Sequence, residues 1–301
     1  MTSAAQDQSG KQDPITFTKM AGGGNDFVVI DDRAGRIVDA AGLTRRICTR
    51  ALSVGADGLI LVEGSARASF RMRYYNADGS LGEFCGNGTR CAARFAVVSE
   101  IAARTMTIET DAGIVNAEVE GGAVTISLPP PHSFRAERSL SIDGQTVRGS
   151  SIVVGVPHYV VFLEGDLWEQ KIESLGRAIR MHGEMQPAGT NVNFVVVRGA
   201  NAIEVRTYER GVEAETLSCG SGVVASVAVS TLFNKVRPPV SVLTRSGITL
   251  EVSLTKHDGE LREVRLKGDA RLIYRAALTA ETIEGFDPDF VRNPTDHAVT
   301  T

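Results

Sequence analysis

The chain has 301 residues, is 43% hydrophobic and 23% charged, and carries a formal net charge of −4. These values fit a globular enzyme of about two domains and, with no basic runs or basic helices in the sequence, argue against a nucleic acid or an acidic membrane as partner. No stretch approaches the roughly 18 consecutive apolar residues of a membrane span, and residues 2–14 lack the apolar core of a secretory signal, so the expected location is the cytoplasm.

Met1 to Pro14 is polar and is expected to be disordered. After it, one order of elements is read twice. A glycine-led strand opens each copy, at 24–30 and 155–162, and a helix follows at 43–51 and 169–180. Strands at 58–62 and 193–197 come next, then 70–75 and 203–208, in which apolar and polar residues alternate as in a half-buried strand. Each copy then enters a glycine-rich loop, Phe84-Cys85-Gly86-Asn87-Gly88 in the first and Ser218-Cys219-Gly220-Ser221-Gly222 in the second. Apolar, glycine-free runs begin at Cys91 and at Val223. The second is rich in valine, which favours strand, but the repeat and the Gly-x-Gly start decide for a buried helix in both. Strands at 106–109, 114–119 and 124–128 close the first copy, and 240–244, 248–254 and 261–267 the second.

The copies align residue by residue. Arg73-Tyr74-Tyr75-Asn76 answers Arg206-Thr207-Tyr208-Glu209, and Cys85 precedes Gly113 by 28 residues as Cys219 precedes Gly247 by 28. The expected fold class is therefore α/β (α+β). It comprises two pseudo-symmetric domains of like topology, each a curved antiparallel-rich sheet around a central helix, with the site in the cleft between them. A disordered tail (1–14) would precede a first domain at 15–130, ending near Pro129-Pro130-Pro131. The second domain would cover 131–268, a segment at 269–280 would return to the first, and 281–301 would be a flexible tail.

Four cysteines in this length are no disulfide framework. Their spacing, with no histidine cluster nearby, gives no reason to expect a metal site. Cys48 and Cys91 read as buried, inert packing. Cys85 and Cys219 do not, because packing does not require a Gly-x-Gly after each at matching positions. A helix N-terminus is expected to lower a thiol's pKa from about 8.5 to roughly 3.5–7.5. The following backbone N–H groups can dock a carboxylate. Two thiols opposed across one carbon can remove a proton from one face and return it to the other, with the docked carboxylate taking up the developing charge. No cofactor is expected.

At these residues the chain resembles the diaminopimelate epimerase family. The resemblance runs from about Phe17 to Leu278. It is carried by Thr18-Lys19-Met20 with Gly24-Asn25-Asp26-Phe27-Val28, by Tyr75-Asn76-Ala77-Asp78-Gly79-Ser80 leading to Cys85-Gly86-Asn87-Gly88, by Gly189-Thr190-Asn191-Val192-Asn193-Phe194, and by Tyr208-Glu209-Arg210-Gly211 leading to Glu215-Thr216-Leu217-Ser218-Cys219-Gly220. The resemblance implies a homodimeric, cofactor-independent isomerase that converts LL-diaminopimelate to the meso form for lysine and cell-wall synthesis. Cys85 and Cys219 would be its two acid/base groups. Gly86, Asn87, Gly220 and Ser221 would hold the reacting carboxylate. Asn25, Asn76, Asn191, Glu209 and Arg210 would hold the amino groups and the distant carboxylate, and His158 would support them. The chain departs from the family pattern at Ala21, Gly23, Gly58 and Val156, where the family often has His, Leu, Gln and Asn, and in the loop Gly211–Glu215, which is one residue longer. Three other readings stay open: a racemase of another amino acid such as histidine on the same scaffold, a single-cysteine hydrolase or transferase using His158, and a non-catalytic amino-acid-binding protein.

Overall fold

The computed structural model describes residues 14–82 and 84–292, so most of the expected N-terminal tail lies outside the described residues. The first half runs β1 (Thr16–Gly22), β2 (Asn25–Asp31), α1 (Ala40–Ile47), β3 (Gly58–Glu63), β4 (Phe70–Asn76), β5 (Leu81–Gly82), α2 (Gly86–Val98), β6 (Thr105–Thr110), β7 (Gly113–Glu120) and β8 (Ala123–Ser127). The second runs β9 (His132–Ile142), β10 (Gln145–Val154), β11 (Val156–Phe162), α3 (Ile172–Met181), β12 (Asn191–Gly199), β13 (Ala202–Glu209), β14 (Ala214–Thr216), α4 (Gly220–Leu232), β15 (Val240–Thr244), β16 (Thr249–His257), β17 (Glu260–Asp269), β18 (Arg271–Ala277) and α5 (Pro288–Arg292).

Both halves build one ladder. A hairpin (β1–β2, β10–β11) is followed by a parallel step (β2–β3, β11–β12) and an antiparallel return (β3–β4, β12–β13). The returning strand takes a short antiparallel partner (β5, β14) and a parallel one (β6, β15). Two antiparallel steps then finish each half. A parallel step needs a crossover, and each one here is crossed by a helix: α1 and α3 at the first step, α2 and α4 at the second. The halves join where β8 pairs with β17, Ile126 opposite Leu266. β9, which follows β8, pairs with β10, and β18, which follows β17, pairs with β1 at the start of the chain.

The central helices are made of small residues because strands surround them. Every residue of α4 from Gly222 to Thr231 is buried, as are Cys91, Ala92, Ala93 and Ala96 of α2. A helix apolar on all sides belongs in an interior. The serines of α4 fit there because Ser226 donates to the Gly222 carbonyl and Ser230 to the Ser226 carbonyl, each at 2.7 Å.

Several boundaries differ from the expected ones. α2 and α4 begin at their glycine loops, ahead of the apolar runs. α1 starts at Ala40, where Asp39 caps it by accepting from Gly42 N at 2.8 Å. β1 and β10 were not anticipated as partners of the glycine-led strands, nor was β9, whose residues are almost all exposed. Polar residues interrupt the pattern of β1: Lys19 is buried there because its ammonium pairs with Asp26 at 2.8 Å and donates to the Gly55 carbonyl. The reading of 281–301 as a flexible tail is corrected for 281–292. Arg46 donates to the carbonyls of Ile283 and Phe286 at 3.0 and 3.2 Å, and Ser53 donates to that of Thr282 at 2.6 Å. Residues 293–301 lie outside the described residues.

Candidate active site

The two cysteines stand at corresponding helix starts. Cys85 caps α2 with extended backbone; its sulfur accepts from Gly88 N at 3.4 Å and its carbonyl from Thr89 N at 2.8 Å. Cys219 occupies the same position on α4, with its carbonyl accepting from Val223 N at 2.9 Å and its sulfur 3.5 Å from the Ser221 hydroxyl. The two starts converge. A Cβ built on Gly220 would lie 3.3 Å from Leu266 Cδ2 and 3.8 Å from Asn87 Oδ1, and one on Gly86 would lie 3.8 Å from the same Leu266 atom. Each helix start leaves amide N–H groups without helical partners, so Gly86, Asn87, Gly220 and Ser221 bring two sets of them to one region. The β1–β2 turn reaches across from the first half: Gly24 has φ +93°, and a Cβ on it would meet Leu217 Cβ of the second half at 2.7 Å.

The thiols are less acidic than their helix positions predict. Burial, joined by the carboxylate of Glu209, pushes Cys85 up to about 11 and Cys219 up to about 12. The helix-end N–H groups lower each thiol without overcoming burial, so the expectation of a low-pKa thiolate does not hold for the free protein. Glu209, the counterpart of Asn76 in the repeat, is itself raised by burial. Cys48 and Cys91 are 4% and 0% exposed, as the sequence reading had them.

A directed chain of hydrogen bonds fixes the amides beside Cys85. Arg90 Nη2 donates to Asn87 Oδ1 at 2.8 Å, Asn87 Nδ2 to Asn25 Oδ1 at 2.8 Å, and Asn25 Nδ2 to Asp57 Oδ2 at 2.9 Å. A guanidinium only donates and a carboxylate only accepts, which sets the orientation of both amides between them. Arg50 bridges Asp57 at 2.9 Å and Asp26 at 2.6 Å and closes the group. Asn76 is engaged locally, donating to Ser80 Oγ at 3.0 Å, although its strand register places it opposite Gly58, next to Asp57.

The second half supplies a matching set. Buried Asn191 accepts from Arg210 N at 2.8 Å, and the Arg210 side chain donates to the Ala188 carbonyl at 2.5 Å. Thr207 donates to Asn193 Oδ1 at 3.0 Å, so Asn193 presents its NH₂ to His158 Nδ1 at 3.1 Å. His158 Nε2 then carries the proton, buried and without a partner among the described residues. Burial, with Arg210 nearby, pulls His158 down to about 3, so it is a neutral donor and not a base at neutral pH. The approach to Cys219 is held by Arg206, which grips Glu215 with two bonds of 2.6 Å.

A cavity of about 290 Å³ opens against the helix starts, lined by Gly86, Gly220, Ser221 and the apolar Phe84, Ile114, Leu128 and Leu266. Cys85, Cys219 and Asn87 do not line it, and neither do Asn25, Asn76, Asn191, Glu209 or Arg210. Sequence reasoning missed Arg90, Asp57, Asn193 and Thr207. Arg90 had a signal: it is the one charge between the glycine loop and the apolar run starting at Cys91. Among the described residues no group of three or more His, Cys, Asp or Glu is arranged to hold a metal ion, and no helix is long and apolar enough to cross a membrane.

The fold recurs in solved structures. A phenazine biosynthesis protein of the PhzF family from Bacillus anthracis superposes with a TM-score of 0.68 at 15% identity, over 89% of this chain and 100% of that one. A hydroxyproline epimerase from Agrobacterium vitis gives 0.66 at 17% identity, over 88% and 92%. At these identities the likeness is one of fold. Sequence relatives stand nearer. The diaminopimelate epimerase of Aquifex aeolicus is 44% identical over 90% of this chain and 100% of its own length, and that of Hydrogenobaculum sp. is 38% identical over 89% and 99%. Residues 17–128 and 150–273 match the diaminopimelate epimerase family, so with both halves included the chain belongs to that family.

Proposed function

We propose that this chain epimerises 2,6-diaminopimelate, interconverting the LL and meso isomers by proton transfer between two cysteines, as a step toward lysine and peptidoglycan precursors. The observation that carries the reading is the convergence of two Cys-capped helix starts, one from each half, with Glu209 acting on both thiols. The α-carboxylate docks on the N–H groups of Gly86, Asn87, Gly220 and Ser221. One thiolate takes the α-proton, the C–H electrons move into the carboxylate as it becomes enediolate-like, and the opposite thiol returns a proton on the other face. Both thiols rest high in the free protein, so the arriving substrate ammonium favours the thiolate by its charge. Asn25, Asn76, Asn191, Glu209 and Arg210 hold the rest of the substrate, and the Nε2–H of His158 is a ready donor beside Arg210. No cofactor takes part.

The proposed division is a first domain at 15–130, with 269–280 returning to it, and a second at 131–268. The proposed assembly is a cytoplasmic homodimer. β18 supports it: its residues are mostly exposed, Ile273 by 52% and Tyr274 by 43%, and an exposed apolar strand marks an interaction face. A second reading, racemisation of another amino acid, is favoured by Val156, which stands where many family members have an Asn for the distant end of the substrate. The test is incubation with LL-diaminopimelate in D₂O under reducing conditions without pyridoxal phosphate. Wild type should incorporate α-deuterium with inversion, and Cys85→Ala and Cys219→Ala should each lose epimerisation. No exchange with diaminopimelate, but racemisation of another amino acid, would transfer the same chemistry to that substrate.

A further inference from the structure

The duplication is broken beneath the thiols. Five residues after Cys85 stands Arg90; five residues after Cys219 stands Val224. Both are fully buried at 0% exposure. Arg90 donates through Nε to the Asp269 carbonyl at 3.3 Å, through Nη1 to the Gly86 carbonyl at 3.4 Å, and through Nη2 to Asn87 Oδ1 at 2.8 Å. Its hydrogen bonds thus go to neutral oxygens, whereas Arg73 and Arg206, paired in the repeat, each grip a carboxylate. The Asp269 carboxylate nearby is occupied by Gly23 N at 2.9 Å and Arg271 Nε at 2.8 Å. The slot that holds the guanidinium is floored by glycine. A Cβ on Gly268 would lie 2.9 Å from Arg90 Nε, and one on Gly23 would lie 2.6 Å from Asn87 Oδ1 and 3.0 Å from Arg90 Nη2.

A buried cation bonded only to neutral acceptors costs several kcal/mol. That cost is partly offset by the Asp269 carboxylate nearby, and on the proposed reaction two further negative charges come beside it: the Cys85 thiolate and the carboxylate on the Gly86-Asn87 amides. We propose that Arg90 is a positioning residue for the reaction, locking Asn87 and the first turn of α2 and making Cys85 the anionic member of the thiol pair when one proton is lost. The charge step rests on the two-thiol reading of the site. Around Cys85 the facing groups are Glu209 of β13, Tyr74 of β4, Cys219 of α4, and Cys91 and Arg90 of α2. Around Cys219 they are Glu209 and Cys85, with the Ser221 hydroxyl.

The test is alkylation of each thiol by iodoacetamide against pH, resolved by peptide mass spectrometry on the full chain. Access scales the rate, but the midpoint follows ionisation. In wild type Cys85 should show the lower midpoint; equal midpoints, or a lower one for Cys219, overturn the proposal without any variant. Arg90→Gln should move the Cys85 midpoint up by about one unit, slowing its alkylation roughly tenfold at a fixed lower pH, and leave Cys219 in place. Arg90→Lys should restore the midpoint but not full turnover, because an ammonium keeps the charge and loses the fork that holds Asn87. A folded Arg90→Gln with an unmoved Cys85 midpoint overturns it. These readings need no substrate, so they stand apart from failure to turn over diaminopimelate.

Discussion

Matching glycines in the two loops should differ sharply in their tolerance of a methyl group. A Cβ on Gly88 would lie 3.2 Å from Ile60 Cδ1 and 3.3 Å from Met72 Cε, the free ends of flexible side chains. A Cβ on Gly222 would overlap Asn193 Oδ1 and lie 3.1 Å from Thr207 Oγ1. Asn193 is fully buried and holds the chain from Thr207 to His158, so it cannot step aside without losing hydrogen bonds. In a helix, Gly→Ala gains about 0.5–1 kcal/mol. At Gly222 that gain is outweighed by overpacking of about 1–3 kcal/mol and by about 1 kcal/mol for each hydrogen bond broken. Gly222→Ala should therefore cost about 2–4 kcal/mol in all and lower Tm by roughly 3–6 °C, while Gly88→Ala should stay close to neutral. Gly222 also sets the turn that carries Cys219, and a displacement of about 1 Å costs on the order of 10²-fold in rate, so kcat/KM should fall by about that factor in the first variant and only a few-fold in the second. Calorimetry and a coupled epimerase assay on both read the result. A Gly222→Ala enzyme as stable and active as Gly88→Ala would refute the steric reasoning.

Glu209→Gln should lower the alkylation midpoints of both Cys85 and Cys219, since the lost carboxylate raises both, while turnover of the substrate falls; unmoved midpoints would remove Glu209 from the thiols' surroundings. His158 has a folded value near 3 against an ordinary 6.5, so the unfolded chain binds more protons in that window. The stability tied to it is fully present above pH 6.5 and is lost as pH falls toward 3, at up to about 1.4 kcal/mol per pH unit. Imidazole NMR should show no His158 titration between pH 5 and 8, and a midpoint near 6.5 would sink the neutral assignment. Oxidation to a Cys85–Cys219 disulfide should abolish activity and a reductant should restore it; full activity after mass spectrometry confirms the bond would contradict the convergence of the helix starts.

The central helices and most strands were legible because the chain states them twice. The valine-rich run of α4 would read as strand alone, and only its alignment with the alanine-rich α2 makes it a helix. β1 and β10 were not legible, because what buries them is pairing with sequence-distant strands. Lys19 breaks the apolar pattern of β1, and its partner Asp26 becomes adjacent only when β1 and β2 form their hairpin. The site divides in the same way. Cys85 and Cys219 announced themselves through their glycine loops, but the prediction of acidic thiols weighed the helix ends and not the burial that overrides them. Asn193 and Thr207 are silent in sequence because their role is to orient His158.

What the repeat shares and where it diverges have separate physical uses. Both copies keep the Cys-capped helix start, and on the proposed reaction each face of the α-carbon needs one proton-transfer group and the carboxylate needs amides from both sides. The copies differ where the substrate does. An α-carbon carries one ammonium, and on the proposed reaction one half meets it with the anion Glu209 where the other has neutral Asn76. A thiol pair that has lost one proton holds one negative charge, and on the proposed role of Arg90 one helix meets it with a cation where the other has Val224. Exact two-fold symmetry would give the two thiols equal claims on that charge and leave the ammonium with two equivalent sites. On the proposed reaction, the departures from symmetry at Glu209 and Arg90 would give the site a single orientation for a chiral substrate, while the symmetric frame would keep the two thiols opposed.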